Sequence, residues 1–308
     1  MLDFETFVIA VYVVIDPIVS QPPPPPQRRG RRPKLWPSEV VTLALLSQLA
    51  RFRSERDFSR FADTQLRGLF PQLPDRSQLN RAIRQQHELL TICGRTLARQ
   101  LGAQLAPYEL LDGTVLAVRT AKRRGAGVLV ESRAVGFSPR LGWVDGFRLL
   151  VCTTPEGIIT GYGLAPANYN DRQLADTFLT ERAAPIQQVR TVGRAASGEY
   201  LADAGFAARE AQARWAATLD AVVVAPPTTD SADRWPKAWR RLHAHLRQVV
   251  ETVIDRLQHL LRLADDRPRT LGGWFSRVAA KVAMHNALIA WNRQCGAPDL
   301  AYAEVIGW

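Results

Sequence analysis

The sequence predicts an α/β sandwich fused to a helical front end. Three observations carry this. From Trp36 to about Gln104, apolar residues recur at helical spacing with arginines between them. After Ala106, short apolar stretches bounded by Gly, Pro and Asp take over. Helical stretches then alternate with further strands, the pattern of a sheet whose crossovers are helices. The chain has 308 residues, 46% of them apolar, which suffices for one large domain or two ordinary ones and argues against global disorder.

The elements follow in order. FETFVIAVYVVID (Phe4–Asp16) is apolar, short and flanked by acidic residues. It lacks the positive start of a signal peptide and the length of a membrane span, so it reads as a buried helix or strand. QPPPPPQRRGRRPK (Gln21–Lys34) is a stiff, extended spacer followed by a basic cluster, Arg28, Arg29, Arg31 and Arg32. That cluster reads equally as a solvated linker and as a strap on a DNA backbone. Ser38 is placed to cap EVVTLALLSQLARF, Ser54 and Asp57 fit a capping box, and Ser77 is placed to cap a helix through Leu97. Such short helices suit a helix-turn-helix-like unit, although an ordinary bundle is the commoner arrangement.

YELLDGTVLAV (Tyr108–Val118) opens the β region, and its Asp-Gly pair is a strong hairpin-turn signal. If the stretch is instead one strand, Asp112 and Thr114 share a face and Gly113 points to the other. A basic loop, RTAKRRGAG (Arg119–Gly127), comes next, and then GVLVES. Trp143–Pro166 reads as a strand pair turning at TTPEG. A helix is expected over Asp171–Glu181, a strand ending at Asp203, a helix after it, a short buried strand at Ala221–Pro227, and helices over Trp235–Leu263 and Trp274–Cys295.

The net charge of +11 points to a polyanionic partner. Lys34, Lys122, Lys237 and Lys281 are the only lysines. The excess of arginine suits bidentate phosphate contacts, but a GC-rich genome is the better account of it. Cys93, Cys152 and Cys295 lie far apart, which excludes a paired disulfide framework and a Cys-rich zinc site and fits a reducing compartment.

Three carboxylates stand out. Asp203 follows an apolar strand, at the edge where α/β sheets bind ligands; taken alone, it is better read as a helix cap. On a helical wheel Val250, Val253, Ile254, Leu257, Leu260 and Leu261 form one stripe, with Arg247, Glu251 and Gln258 along its flank. Alone, Glu251 reads as a surface partner of Arg247. Together, Asp112, Asp203 and Glu251 come from two strands and a helix and can converge on a pair of divalent ions. Magnesium takes hard oxygen ligands, and two ions about 3.5–4 Å apart can serve both the attacking and the leaving oxygen of a phosphodiester. The histidines show no zinc-like spacing; His243 and His245 read as solvated helix residues.

These stretches resemble the DDE transposases of bacterial insertion sequences over roughly Trp36 to Cys295. The resemblance is carried by LWPSEVVTLALLSQLARFRSERDFSRF, LFPQLPDRSQLNR, LLDGTVLAV, GWVDGFRLLVCTTPEGIITGYGLAPANYNDR and GEYLADAGF. It implies a ribonuclease-H-like mixed sheet flanked by helices over residues 105–295. A helical DNA-binding domain would span 36–104, with an N-terminal segment and linker over 1–35 and a tail over 296–308. Asp112, Asp203 and Glu251 match the family's metal-binding carboxylates, which hold two Mg2+ or Mn2+ ions. Arg247 and Glu251 match the motif Tyr-x2-Arg-x3-Glu-x6-Lys, while Ala244 and Gln258 replace its Tyr and Lys.

The resemblance further implies DNA cleavage and strand transfer at transposon ends. It implies double-stranded DNA as partner, a homodimer on DNA, no membrane, and a place in the cytoplasm at the bacterial nucleoid. Arg247, Gln258, Arg119, Lys122, Arg123, Arg124 and the linker arginines would contact DNA. Two rivals remain open: an inactive descendant that only binds DNA, and a ribonuclease-H-like nuclease without strand transfer.

Overall fold

The computed structural model describes residues 3–20, 33–49, 51–120, 128–138, 141–183, 198–228 and 231–301. Among them the chain opens with five helices: α1 (Phe4–Ser20), α2 (Pro37–Leu46), α3 (Glu55–Gln65), α4 (Arg76–Gln85) and α5 (His87–Gln100). The apolar opening is thus a helix, with Phe7, Val8, Val11, Ile15 and Ile18 buried along one face at helical spacing. Among the described residues, no helix is long and apolar enough to cross a membrane.

Two caps differ from expectation. Pro37 takes the first position of α2, where its missing N–H costs nothing, and Glu39 reaches back to the Trp36 N–H at 2.6 Å. Ser38 is therefore inside the first turn, and buried. Ser77 is displaced as a cap by Asp75, whose carboxylate accepts from the N–H groups of Ser77 and Gln78. The single helix expected to run through Leu97 is interrupted at Gln86 and resumes as α5. Ser54 caps α3 as expected, accepting from Asp57 N–H at 3.1 Å.

The sheet contains β1 (Glu109–Thr120), β2 (Ala134–Ser138), β3 (Gly142–Thr153), β4 (Ile159–Pro166), β5 (Glu199–Ala202) and β6 (Val222–Val224). Its order is β2-β3-β1-β5-β6, and β4 also pairs with β3. β1 is antiparallel to β3 on one side and parallel to β5 on the other; β6 continues parallel to β5. β2 and β4 share one edge of β3, β2 along Gly142–Gly146 and β4 along Phe147–Thr153. Asp112 lies mid-strand opposite Val151, so its Asp-Gly pair makes no turn. The β character of GVLVES is not realised: Ser132 and Arg133 both donate to the Leu129 carbonyl, closing a turn, and the strand begins at Ala134. The β3–β4 hairpin closes as expected, with Gly157 at φ 87°.

The sheet separates two apolar clusters. On one face, Leu110, Leu116, Phe147, Leu149 and Val151 pack with α8 (Lys237–Asp255) and α9 (Leu271–Gln294). The same cluster takes in the buried residues of α1, α2 and α5, so residues on both sides of position 104 share one core. On the other face, Leu111, Leu150 and Cys152 pack with Leu174 and Phe178 of α6 (Asp171–Ala183) and Trp215 of α7 (Arg209–Leu219). Val250, Val253 and Leu257 are all essentially solvent-free. Burying each contributes about 1.5–3 kcal/mol. Apolar packing therefore fixes α8 over β1, β3 and β5, and the polar flank of α8 is carried to wherever that packing puts it.

Candidate functional site

The parallel pairing of β1 with β5 sets Leu111 opposite Ala202. One residue further, Asp112 continues along β1 while Asp203 leaves β5. The two aspartates therefore reach the same level, at the carboxyl end of β5, where β1 has an antiparallel neighbour on one side and a parallel one on the other. Crevices at such points in α/β sheets are where ligands bind. α8 passes above them and brings Arg247 and Glu251, one turn apart on its flank.

Arg247 is the centre of the group. Its Nη2 stands 3.4 Å from Asp112 Oδ2 and its Nη1 3.7 Å from Glu251 Oε1. Both contacts are longer than charge-assisted hydrogen bonds, and the buried Nε has no partner among the described residues. Asp112 Oδ1 accepts from the Gly113 N–H at 2.8 Å, and Asp203 Oδ1 from the Gly205 N–H at 2.8 Å. Asp203 thus caps the short turn Ala204–Phe206 and faces the group as well.

Burial pushes the Asp112 carboxyl up to about 7; Arg247 opposes this, while the negative charges of Asp203 and Glu251 add to it. Asp203 is also pushed up, by burial first, against Arg247 and with Asp171 adding. One guanidinium therefore serves two half-buried aspartates and a glutamate. Glu251 is 56% exposed and adopts the surface pairing with Arg247 that its spacing alone suggests. Among the described residues, no group of three or more His, Cys, Asp or Glu side chains is arranged to hold a metal ion.

Gln258 is buried in a π-helical turn, Arg256–Leu260, and its amide donates to Thr114 Oγ1 on the Asp112 face of β1. A π turn inserts one residue into the helical ladder and re-aims the side chains beyond it. Arg119 lies in β1, opposite Asp145. Arg28, Arg29, Arg31, Arg32, Lys122, Arg123 and Arg124 lie outside the described residues.

Two participants were not anticipated. His243, expected in solvent, is buried with its ring edge-on to Trp235, just ahead of α8, at 5.2 Å. Burial holds its pKa below the ordinary histidine value, and a hydrogen bond to the Val224 backbone opposes that. His245 is exposed, as expected. Asp171, the first residue of α6, approaches Asp203 from the opposite face of the sheet, and Arg148 Nη1 holds it at 2.6 Å. The signal for Asp171 was indirect: a glycine one or two residues after each site aspartate.

No protein-family model and no curated protein sequence matches the chain.

Proposed function

We propose that the chain is a DNA-cleaving and strand-transferring enzyme of the DDE transposase kind, on a ribonuclease-H-like sheet. The observation that carries the reading is the approach of Asp112 and Asp203 where the parallel pairing of β1 and β5 ends, beside a helix that presents Arg247 and Glu251. The donor set supports a hard divalent cation by its chemistry rather than by its spacing: it offers carboxylate oxygens only, and desolvation raises the pKa of both aspartates against the pull of Arg247. Asp112, Asp203 and Glu251 would hold Mg2+ or Mn2+, which when bound supplies an activated water or 3′-hydroxyl and charge at the leaving oxygen.

The chain's own residues do the rest. Arg247 has donors to spare and is placed to hold a phosphate oxygen of the scissile strand. Gln258 keeps Thr114, and through it the Asp112 segment of β1, against the π turn. The net charge of +11 favours a DNA backbone as the partner.

The test is Mg2+-dependent cleavage of the DNA flanking the reading frame, followed by detection of joined products. Asp112→Asn, Asp203→Asn and Glu251→Gln should each abolish cleavage and leave DNA binding nearly intact; full cleavage by any one removes that residue from the mechanism. One observation favours a second reading, an inactive DNA-binding descendant. The position of the family's lysine is held by Gln258, a buried amide committed to Thr114, and carries no charge toward DNA. Salt-sensitive binding without metal-dependent cleavage of any flanking end would select it.

A further inference from the structure

The ladder between β1 and β5 consists of three register pairs, ending at Leu111 and Ala202. It stops one residue short of Asp112 and Asp203, so no strand pairing fixes the gap between their carboxylates. That gap is set by what stands on either face of the sheet. On the α8 face stands Arg247. On the opposite face stands Asp171.

The placement of Asp171 is tight. A Cβ built on Gly113 would lie 2.7 Å from Asp171 Oδ1, and one built on Gly205 would lie 2.9 Å from Asp171 Oδ2. Real Cβ atoms essentially never come so near another heavy atom, so an alanine at either position would push the Asp171 carboxylate aside. The two oxygens of one carboxylate thus occupy the room that two side chains would need. Gly113 is the residue after Asp112, and Gly205 is the N–H donor to Asp203. Asp171 is held in turn by Arg148, which also donates to the Phe137 carbonyl at 3.2 Å and so ties the carboxylate to β2.

We infer that Asp171 is a positioning residue that sets the spacing of Asp112 and Asp203 from the face opposite Arg247, and that Gly113 and Gly205 are glycines to admit it. The inference rests on the metal-site reading above. An acidic residue in the first turn of α6 also suits the helix dipole, but that role would not involve Gly113 or Gly205. Groups that orient metal ligands typically matter by about 10- to 100-fold in metal affinity.

The experiment is a double-mutant cycle on the full chain, read by Mn2+ affinity from electron paramagnetic resonance and by urea unfolding. Gly113→Ala and Asp171→Ala should each weaken Mn2+ binding about tenfold or more. In the Asp171→Ala background, Gly113→Ala should cost far less than in the wild type, because the atom it collides with is gone. Asp171→Asn, which keeps the shape, should retain more affinity than Asp171→Ala. If Gly113→Ala does not fold, Gly205→Ala supplies the same cycle from the other oxygen. Effects that multiply independently, or an Asp171→Ala protein with lower stability and unchanged Mn2+ affinity, overturn the positioning role while leaving the metal site standing. A wild-type protein that binds no Mn2+ removes the metal-site reading itself, and this inference with it.

Discussion

Replacing Asp112 with asparagine should make the metal-free protein more stable at neutral pH, and the effect should vanish in acid. The Asp112 carboxyl is largely desolvated beside Asp203, and Arg247 compensates only in part, so its pKa rises from 3.8 to about 7. Between those values the folded protein holds a proton that the unfolded chain has released. Stability from this group is therefore fully present below about pH 4 and is lost as pH climbs through 7. The rise corresponds to about 4 kcal/mol, a large fraction of the 5–15 kcal/mol that roughly bounds most domains. Asparagine has the same shape and does not titrate. Urea unfolding in a chelator, at steps from pH 4 to pH 8, should show the wild type losing about 4 kcal/mol relative to Asp112→Asn. Saturating Mg2+ at pH 8 should return stability to the wild type alone, since a ligand of the folded state shifts the balance toward it. Parallel curves for the two proteins would refute the reasoning, because they would mean that water or Arg247 already satisfies the charge.

Two predictions concern the scaffold. Arg182 and Glu109 form an ion pair at 2.9 Å with both side chains 1% exposed. Arg182→Met should cost about 3–5 kcal/mol by leaving Glu109 buried and unpaired, and adding Glu109→Gln should recover much of the loss; equal instability of the single and double variants would show that the lost packing dominates. Thr114→Val removes the hydrogen bond that Thr114 Oγ1 accepts from the buried Gln258 amide and should cost about 0.5–1.5 kcal/mol in chemical unfolding; an unchanged midpoint would mean that other contacts of Gln258 take its place.

Periodicity made the scaffold legible. Val250, Val253 and Ile254 are buried against the sheet because a 3.6-residue repeat fixes which face of α8 is apolar, and that carries Arg247 and Glu251 to the flank beside it. Local signals did less well where two groups compete for one role. Asp75 displaced Ser77 because its carboxylate reaches two N–H groups at once. The Asp-Gly pair at 112–113 carried a turn signal, yet the glycine serves close approach by a side chain from another element. His243 misled for a related reason: polarity suggests solvent, but residues outside its own helix cover it. Asp171 could not have been read at all from its own neighbourhood, since its role depends on a contact across the sheet.

The molecule contains its own control for judging whether the Asp112 group is a site or part of the scaffold. Glu109 and Arg182 are matched one to one, short in contact and sealed from water, and Thr160 donates to the same glutamate oxygen. Glu109 Oε1 is satisfied in this way, while its Oε2, like Arg247 Nε, has no hydrogen-bond partner among the described residues. A few residues along the same strand, Asp112 shares Arg247 with Asp203 and Glu251, at contacts of 3.4 and 3.7 Å and with an unused guanidinium Nε. Burying charge without matching it is costly, and the two places differ in how it is met: a short, sealed pair at Glu109, and one guanidinium at longer contacts to side chains that water still reaches at Asp112 and Glu251. On the proposed reading, a divalent cation among Asp112, Asp203 and Glu251 would supply the positive charge that Arg247 alone brings only at these longer contacts.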